Sequence, residues 1–268
     1  MPSAEPSLSL WHAAALGALH GPAELLPVSS SAHTQLLPWL AGWPYASSGG
    51  EERKTFEVAL HIGAAAALAI SLRGELAEDL RAPTSRGAGA LALALLPPAV
   101  AGVAMRETVE RRLGGPRCTA AGLAAGALAM ALADRERAGG REPGDAGAVD
   151  GLALGLAQAV ALVPGVSRSG ATLAAARLRG FSRDGAWRLS WLVGLPVIAG
   201  AGALKATRPG SLGQPRTPLI AGAVSAFAST LAAATVMRRP AQRAPLLLFS
   251  LYRLLLAGAI LRRARRER

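Results

Sequence analysis

A chain of 268 residues that is 51% hydrophobic but only 4% aromatic has the composition of a helical membrane protein with closely packed small residues, not of a soluble globule. Its formal net charge of +12 lies between apolar runs, so contact with anionic lipid head groups is a simpler reading than nucleic-acid binding. A single cysteine, Cys118, excludes a disulfide framework and a cysteine metal cluster.

Leu8 to Leu19 is apolar but short, roughly 18 Å as a helix at 1.5 Å per residue. That cannot cross a hydrocarbon core of about 30 Å. His20-Gly21-Pro22 is expected to interrupt it, and Glu24 to Leu40 resumes with Pro27, three serines and His33. Two short pieces around a Pro/Ser break predict a re-entrant hairpin, tolerated at depth only where protein or water surrounds it. Trp39, Trp43 and Tyr45 suit an interface belt. The next apolar runs are Phe56 to Leu72, Ala88 to Met105 with Pro97-Pro98 inside, and Cys118 to Ala133. Charged loops are expected at Arg73 to Arg86 and Arg106 to Arg117. Asp134 to Asp150 is polar and reads as the longest linker.

The pattern then recurs. Gly151 to Leu162 is a short apolar helix that ends in Val163-Pro164-Gly165-Val166-Ser167-Arg168-Ser169-Gly170 and resumes through Thr172 to Leu178. After a basic loop, Arg177 to Arg188, come the runs Leu189 to Leu204, Pro218 to Met237 and Pro245 to Leu261. The chain therefore reads as an all-α integral membrane protein of two repeats, 1–133 and 151–268, joined by a linker at 134–150 within a single membrane domain. Each repeat is a re-entrant helical hairpin plus three transmembrane helices. An odd number of spans per half inverts one repeat relative to the other. The halves also align in sequence at one offset, with Ser29-Ser30-Ser31-Ala32 facing Ser167-Arg168-Ser169-Gly170. Basic residues divide almost evenly between the two sides. The positive-inside bias does not orient the chain, although its basic tail favours cytoplasmic termini.

Ionisable residues within apolar segments are candidates for function. Here they are His20, Glu24, His33, Glu57 and His61 in the first half, and Arg168 and Arg253 in the second. For Arg253, close to other basic residues, a helix-packing or interfacial role is the preferred reading. An arginine in such surroundings costs about 2.5–3.5 kcal/mol unless it meets water or an anion. Ser167, Ser169 and Thr172 place hydroxyls beside Arg168, Gly165 and Gly170 allow close backbone approach, and a helix N-terminus follows. This predicts an oxyanion site, most simply for phosphate. His20 with Glu24, and Glu57 with His61, have i, i+4 spacing and share a helix face. Each pair can share a proton or bind a metal. Hard ions favour the carboxylates Glu24 and Glu57, while the imidazoles of His20 and His61 suit a transition metal. Ser30 and His33, one turn apart, can act as nucleophile and base, or His33 can itself attack phosphorus, with Glu24 orienting or deprotonating the attacker.

These residues carry a resemblance. Gly21-Pro22-Ala23-Glu24-Leu25-Leu26-Pro27-Val28-Ser29-Ser30-Ser31-Ala32-His33 resembles the E-G-x-T-E-F-L-P-[IV]-S-S-[ST]-G-H motif of the undecaprenyl-diphosphate phosphatases, also called bacitracin-resistance proteins. Phe56-Glu57-Val58 fits that family's F-E-V segment, and Pro164 to Thr172 its P-G-x-S-R-S-G-x-T motif. The resemblance covers most of the chain and implies a bacterial protein of the cell membrane. The implied activity removes phosphate from the C55 isoprenoid diphosphate, giving the monophosphate carrier lipid of cell-wall synthesis and, with it, bacitracin resistance. It further implies a multi-pass fold of two inverted repeats, an active site toward the outer face and a divalent cation, Mg²⁺ or Ca²⁺.

Carried over by position, the family's functional residues fall on Glu24, Ser30, His33, Ser167, Arg168, Ser169 and Thr172. Glu24, Ser30, His33 and Arg168 are the expected catalytic set. Ser29, Ser167, Arg168, Ser169, Gly170 and Thr172 are the expected phosphate-binding set. The chain departs from the pattern in three places: His20 replaces the leading glutamate, Ala32 the glycine before the histidine, and His61 a glutamine. A His20, Glu24, Glu57 and His61 cluster would bind Mn²⁺ or Zn²⁺ better than the family's own set; the alternatives are that His20 only hydrogen-bonds, or that the protein is a paralogue with altered activity. The expected partners are an isoprenoid diphosphate lipid and the bilayer, with a homodimer as a further expectation and no nucleic acid. Rival readings are a non-enzymatic lipid-phosphate transporter or flippase, since inverted repeats also build transporters, and a phosphatase for another prenyl diphosphate.

Overall fold

The computed structural model describes residues 8–47, 50–80, 85–105, 108–109, 112–135, 139–206 and 216–267. The described residues are mostly α-helical, and the one strand-like feature among them is an isolated bridge between Arg141 and Phe181. Five helices are long and apolar enough to cross a membrane. They are α3 (Gly50–Ser71), α5 (Ser85–Ala104), α6 (Pro116–Arg135), α9 (Arg183–Ala206) and α10 (Arg216–Val236). The sixth expected span is α12 (Leu246–Arg266), 21 residues long, whose apolar character is diluted by Arg253 and the basic tail. Shorter helices are α1 (Leu10–Leu25), α2 (Ser30–Ala41), α4 (Arg73–Leu80), α7 (Ala148–Val160), α8 (Arg168–Leu178) and α11 (Arg238–Arg243).

Several boundaries differ from the sequence reading. The first break does not fall at His20-Gly21-Pro22. Helix α1 runs through those residues with Pro22 inside it and ends at Leu25, where the Leu26 amide donates to the Pro22 carbonyl at 2.9 Å. Gly21 serves packing instead, since a Cβ there would collide with Ser229 and the Thr230 backbone of α10. The expected loop after Arg73 contains α4, because Glu75 to Leu80 has no helix breaker. The basic loop before the fourth span shrinks to Arg179–Ser182, since α9 already begins at Arg183. Parts of the Arg106 to Arg117 loop lie outside the described residues.

The linker is ordered where described. Arg141 ties to Asp150 through two contacts of 3.1 and 2.6 Å and to the Arg179 carbonyl at 2.7 Å. Arg179 Nε shares Asp150 Oδ1 with Arg141, at 2.7 Å. Asp150 also accepts from the Gly147 amide, which caps α7. Burial alone would raise the Asp150 carboxyl, but these hydrogen bonds outweigh it and hold it well below the usual carboxylate range.

Small residues set the close contacts between long helices. Helix α1 packs on α10, and α7 packs on α5. Gly17 lies against the Gly222 carbonyl of α10, and Gly155 against Leu93 and Pro97 of α5. A methyl group at either position would have to displace backbone or a proline ring, which is why small residues line such interfaces. Hydroxyls add to the first pair, as Ser225 and Ser229 donate to Ala14 and Gly17 carbonyls at 2.7 and 3.0 Å. Helix α12 packs along α6, and α3 meets α9. The largest apolar cluster surrounds Trp187, Phe181, Leu173 and Leu25, beside the two broken hairpins.

Candidate active site

Two short non-helical segments bring the chemistry together. The first is Leu26–Ser29, between α1 and α2, and the second is Ala161–Ser167, between α7 and α8. Each ends on a serine in the positive-φ region, Ser29 at 73° and Ser167 at 63°. Among the described residues they are the two non-glycine positions with positive φ. Such backbone costs of order 1–3 kcal/mol and is held only where its surroundings enforce it. Each serine precedes the first residue of a helix, so amides at the starts of α2 and α8 are left for a nearby acceptor. At Ser167 one of these is taken internally, as the Gly170 amide donates to Ser167 Oγ at 3.3 Å.

Arg253 holds the two breaks side by side. It is fully buried, and its guanidinium donates to Pro27 O in the first break at 3.4 Å. It also donates to Gly165 O and Val166 O in the second, at 2.8 and 2.9 Å. Of the two structural readings of Arg253, the packing role holds and the interfacial one fails. The arginine satisfies carbonyls that the broken helices leave without partners. Ser169 adds a second link, donating to Leu26 O at 3.4 Å.

Glu24 is the centre of the arrangement. It is buried, and its Oε1 accepts from Arg168 at 2.7 Å. Its Oε2 accepts from the Ser30 hydroxyl at 2.5 Å. His61 Nε2 and His20 Nε2 lie 3.5 and 3.8 Å from the same Oε2. Arg168 also reaches Ser190 O at 3.4 Å and lies in a groove open only because residue 194 is glycine.

His33 is oriented from both sides. Its Nδ1 lies 2.8 Å from Ser29 O, which can only accept, so Nδ1 carries a proton. Its Nε2 lies 2.5 Å from the Tyr252 hydroxyl on α12, with the rings stacked. His33 and Tyr252 also line an otherwise apolar cavity of about 380 Å³ with Leu19, Leu26, Val28 and Leu248. Ser30 and His33 do not hydrogen-bond to each other, because the Ser30 hydroxyl is committed to Glu24.

The expected phosphate-binding residues fall into two groups. Ser29, Ser167, Arg168 and Ser169 lie at the breaks, with Ser29 and Ser167 Oγ each beside a neighbouring serine, Ser31 and Ser169. Thr172 is placed to buttress, with its hydroxyl bonded to Arg168 O, Ser169 O and Ser190 Oγ at 2.9, 3.1 and 2.7 Å. Gly170 spends its amide on the Ser167 cap. Of the four expected metal ligands, His20, Glu24 and His61 converge, with their donor atoms all within 4.8 Å of one another. Glu57 stands outside that group, and its carboxylate takes a hydrogen bond from Gln35. Tyr252, Ser190 and Gly194 were not singled out by sequence. Tyr252 carries a weak signal as one of only two tyrosines, placed in the middle of an apolar run.

The family model for bacitracin resistance protein BacA matches residues 13–259. The chain is 39% identical over 272 residues to the undecaprenyl-diphosphatase of Geobacter sulfurreducens, covering 95% of this chain and 98% of that protein. It is 39% identical to that of Geobacter metallireducens, over 93% and 96% of the two chains, and 35% identical to that of Thermomicrobium roseum, over 95% and 98%. Matched over nearly its whole length, the chain belongs to the bacitracin resistance protein BacA family.

Proposed function

We propose that this protein is a membrane phosphatase that hydrolyses undecaprenyl diphosphate to undecaprenyl phosphate and inorganic phosphate, recycling the carrier lipid of cell-wall synthesis. Relatives of that name align with nearly the whole chain, and five helices are fit to cross a membrane. The observation that carries the chemistry is the Arg168–Glu24–Ser30 chain, buried at Glu24 and Ser30 and partly exposed at Arg168. A carrier that only binds a lipid phosphate needs the cation but not a carboxylate drawing the proton of a serine hydroxyl.

Ser30 Oγ attacks the terminal phosphorus while Glu24 takes its proton, and the bond to the bridging oxygen breaks with undecaprenyl phosphate leaving. Water then cleaves the phosphoserine and returns Ser30. Arg168 stabilises charge on the phosphoryl oxygens, the term of largest weight in such transfers. Both nitrogens of His33 are engaged, which favours Ser30 as nucleophile. The apolar cavity beside His33 suits the first isoprene units. A divalent ion, when bound, supplies further positive charge to the diphosphate, and His20, Glu24 and His61 are the residues that would hold it.

Two inverted repeats, residues 1–133 and 151–268, are the architecture this reading carries. Exchanged packing supports it, with α1 of the first half on α10 of the second and α7 of the second on α5 of the first. Ser29 with Ser167, and Gly17 with Gly155, occupy matching positions at one sequence offset. This reading puts the protein in the cell membrane with its site open to the outer side, as the resemblance to the family implies. Proteoliposomes carrying undecaprenyl diphosphate test the reading. Phosphate release is expected, whereas intact lipid crossing the bilayer without phosphate release would establish the transporter.

A further inference from the structure

We propose that His20, Glu24 and His61 form a site for a first-row transition ion such as Zn²⁺, Mn²⁺ or Co²⁺, in preference to Mg²⁺ or Ca²⁺. His20 is fully buried, and neither ring nitrogen has a hydrogen-bond partner among the described residues. A buried imidazole left without partners is costly, so its retention needs a reason. A His20–Glu24 hydrogen bond does not supply one. The separation of 3.8 Å is too long, and that of His61 to the same oxygen is 3.5 Å. Those lengths instead approach the spacing of about 3.4 Å between two ligands that share a tetrahedral ion with bonds near 2.1 Å.

The tautomer of His61 is fixed in the right sense. Its Nδ1 lies 2.7 Å from the Glu57 carbonyl, which can only accept, so Nδ1 carries the proton and Nε2 keeps its lone pair toward Glu24. Outer hydrogen bonds of this kind orient metal-ligating imidazoles. The two rings meet edge to face with centroids 4.5 Å apart, so the Nε2 atoms converge without stacking. Two imidazoles and one carboxylate, from α1 and α3, make a borderline donor set. Mg²⁺ and Ca²⁺ favour all-oxygen shells, and here the second carboxylate, Glu57, is turned to Gln35 instead. Three protein ligands leave a position open, as catalytic sites do. The site shares Glu24 with the proposed phosphatase centre and rests on that reading only for its use, not for its binding.

The test uses detergent-purified full-length protein with a non-histidine affinity tag, stripped by chelator. Co²⁺ is titrated while its visible absorption is followed, and Zn²⁺, Mn²⁺, Mg²⁺ and Ca²⁺ are measured by calorimetry and competition. One equivalent of Co²⁺ should bind, displaced by Zn²⁺ at micromolar but not by Mg²⁺ at millimolar concentration. His61→Gln and His20→Gln should each weaken Zn²⁺ by ~10-fold or more. The half-exposed His61 variant should keep the melting temperature of the metal-free protein. Mg²⁺ or Ca²⁺ binding as tightly as Zn²⁺, or Zn²⁺ affinity untouched by both variants, would overturn the proposal. Zn²⁺ binding without phosphate release would leave the metal site standing and remove the phosphatase reading, and the reverse result would do the opposite.

Discussion

Arg168 and Glu24 lie 144 residues apart in the chain and meet at 2.7 Å. Each comes from the edge of a different broken hairpin, so neither half alone assembles the pair. The contact keeps a carboxylate and a guanidinium together in a setting where either one alone is costly.

Arg168→Ala should cut phosphate release by roughly 10²–10³-fold, the cost of one preorganised charge-stabilising group. Arg168→Lys should recover only part, since lysine offers no planar fork. Gly194→Ala should resemble Arg168→Ala, because the added methyl occupies the space of the guanidinium. Steady-state phosphate release in detergent measures all three.

Ser30→Ala should lose at least ~10³-fold in kcat if the serine attacks phosphorus. Glu24→Gln should fall comparably, since it removes the acceptor of the Ser30 proton. Rapid acid quench of the native protein with diphosphate labelled on the terminal phosphorus should trap phosphoserine at position 30. A Ser30→Ala protein with near-native turnover would exclude it as nucleophile.

Tyr252→Phe removes the donor that faces His33 Nε2 at 2.5 Å and keeps the ring stack. The expected loss in kcat/KM is about 10-fold, accompanied by a shifted pH profile that a purely packing role would not produce.

Arg253→Ala leaves carbonyls of both breaks without donors in a dry environment. Stability should fall by about 2–4 kcal/mol, and the hairpins should lose their mutual register. Arg253→Lys should restore little, because one ammonium cannot serve Pro27 and Val166 together. Thermal unfolding in detergent reads the first effect.

The two helix breaks and the meeting of Glu24 with Arg168 were legible because charges inside apolar runs and Pro/Gly/Ser interruptions are conspicuous in one dimension, whereas the one-turn spacing of Ser30 and His33 did not bring those two together. The site of the first break was misread. Pro22 looks like a breaker, yet the helix continues to Leu25 because its glycines press on α10, and that demand exists only in three dimensions. The role of Arg253 was hidden for the same reason. Its partners are backbone carbonyls, which no side-chain pattern announces. Glu57 matched His61 by spacing, but i, i+4 spacing fixes only a shared helix face. Gln35 on another helix decided which way its carboxylate turned.

The linker makes a prediction in pH. The folded Asp150 carboxyl lies below its ordinary value, so its contribution to stability is fully present above about pH 4 and is lost as pH falls toward the folded value. Asp150→Asn should therefore lower the melting temperature by the same amount from pH 5 to pH 8. The difference from native should shrink only on stronger acidification. A difference that closed between pH 6 and 8 would assign the effect to another group.

The most direct test of the whole account is phosphate release from undecaprenyl diphosphate by the purified native chain and by Arg168→Ala, assayed side by side. The expected result is turnover by the native protein and a loss of at least ~10²-fold in the variant, with its fold intact by thermal unfolding. No release from the native protein, or equal release from both, would contradict it.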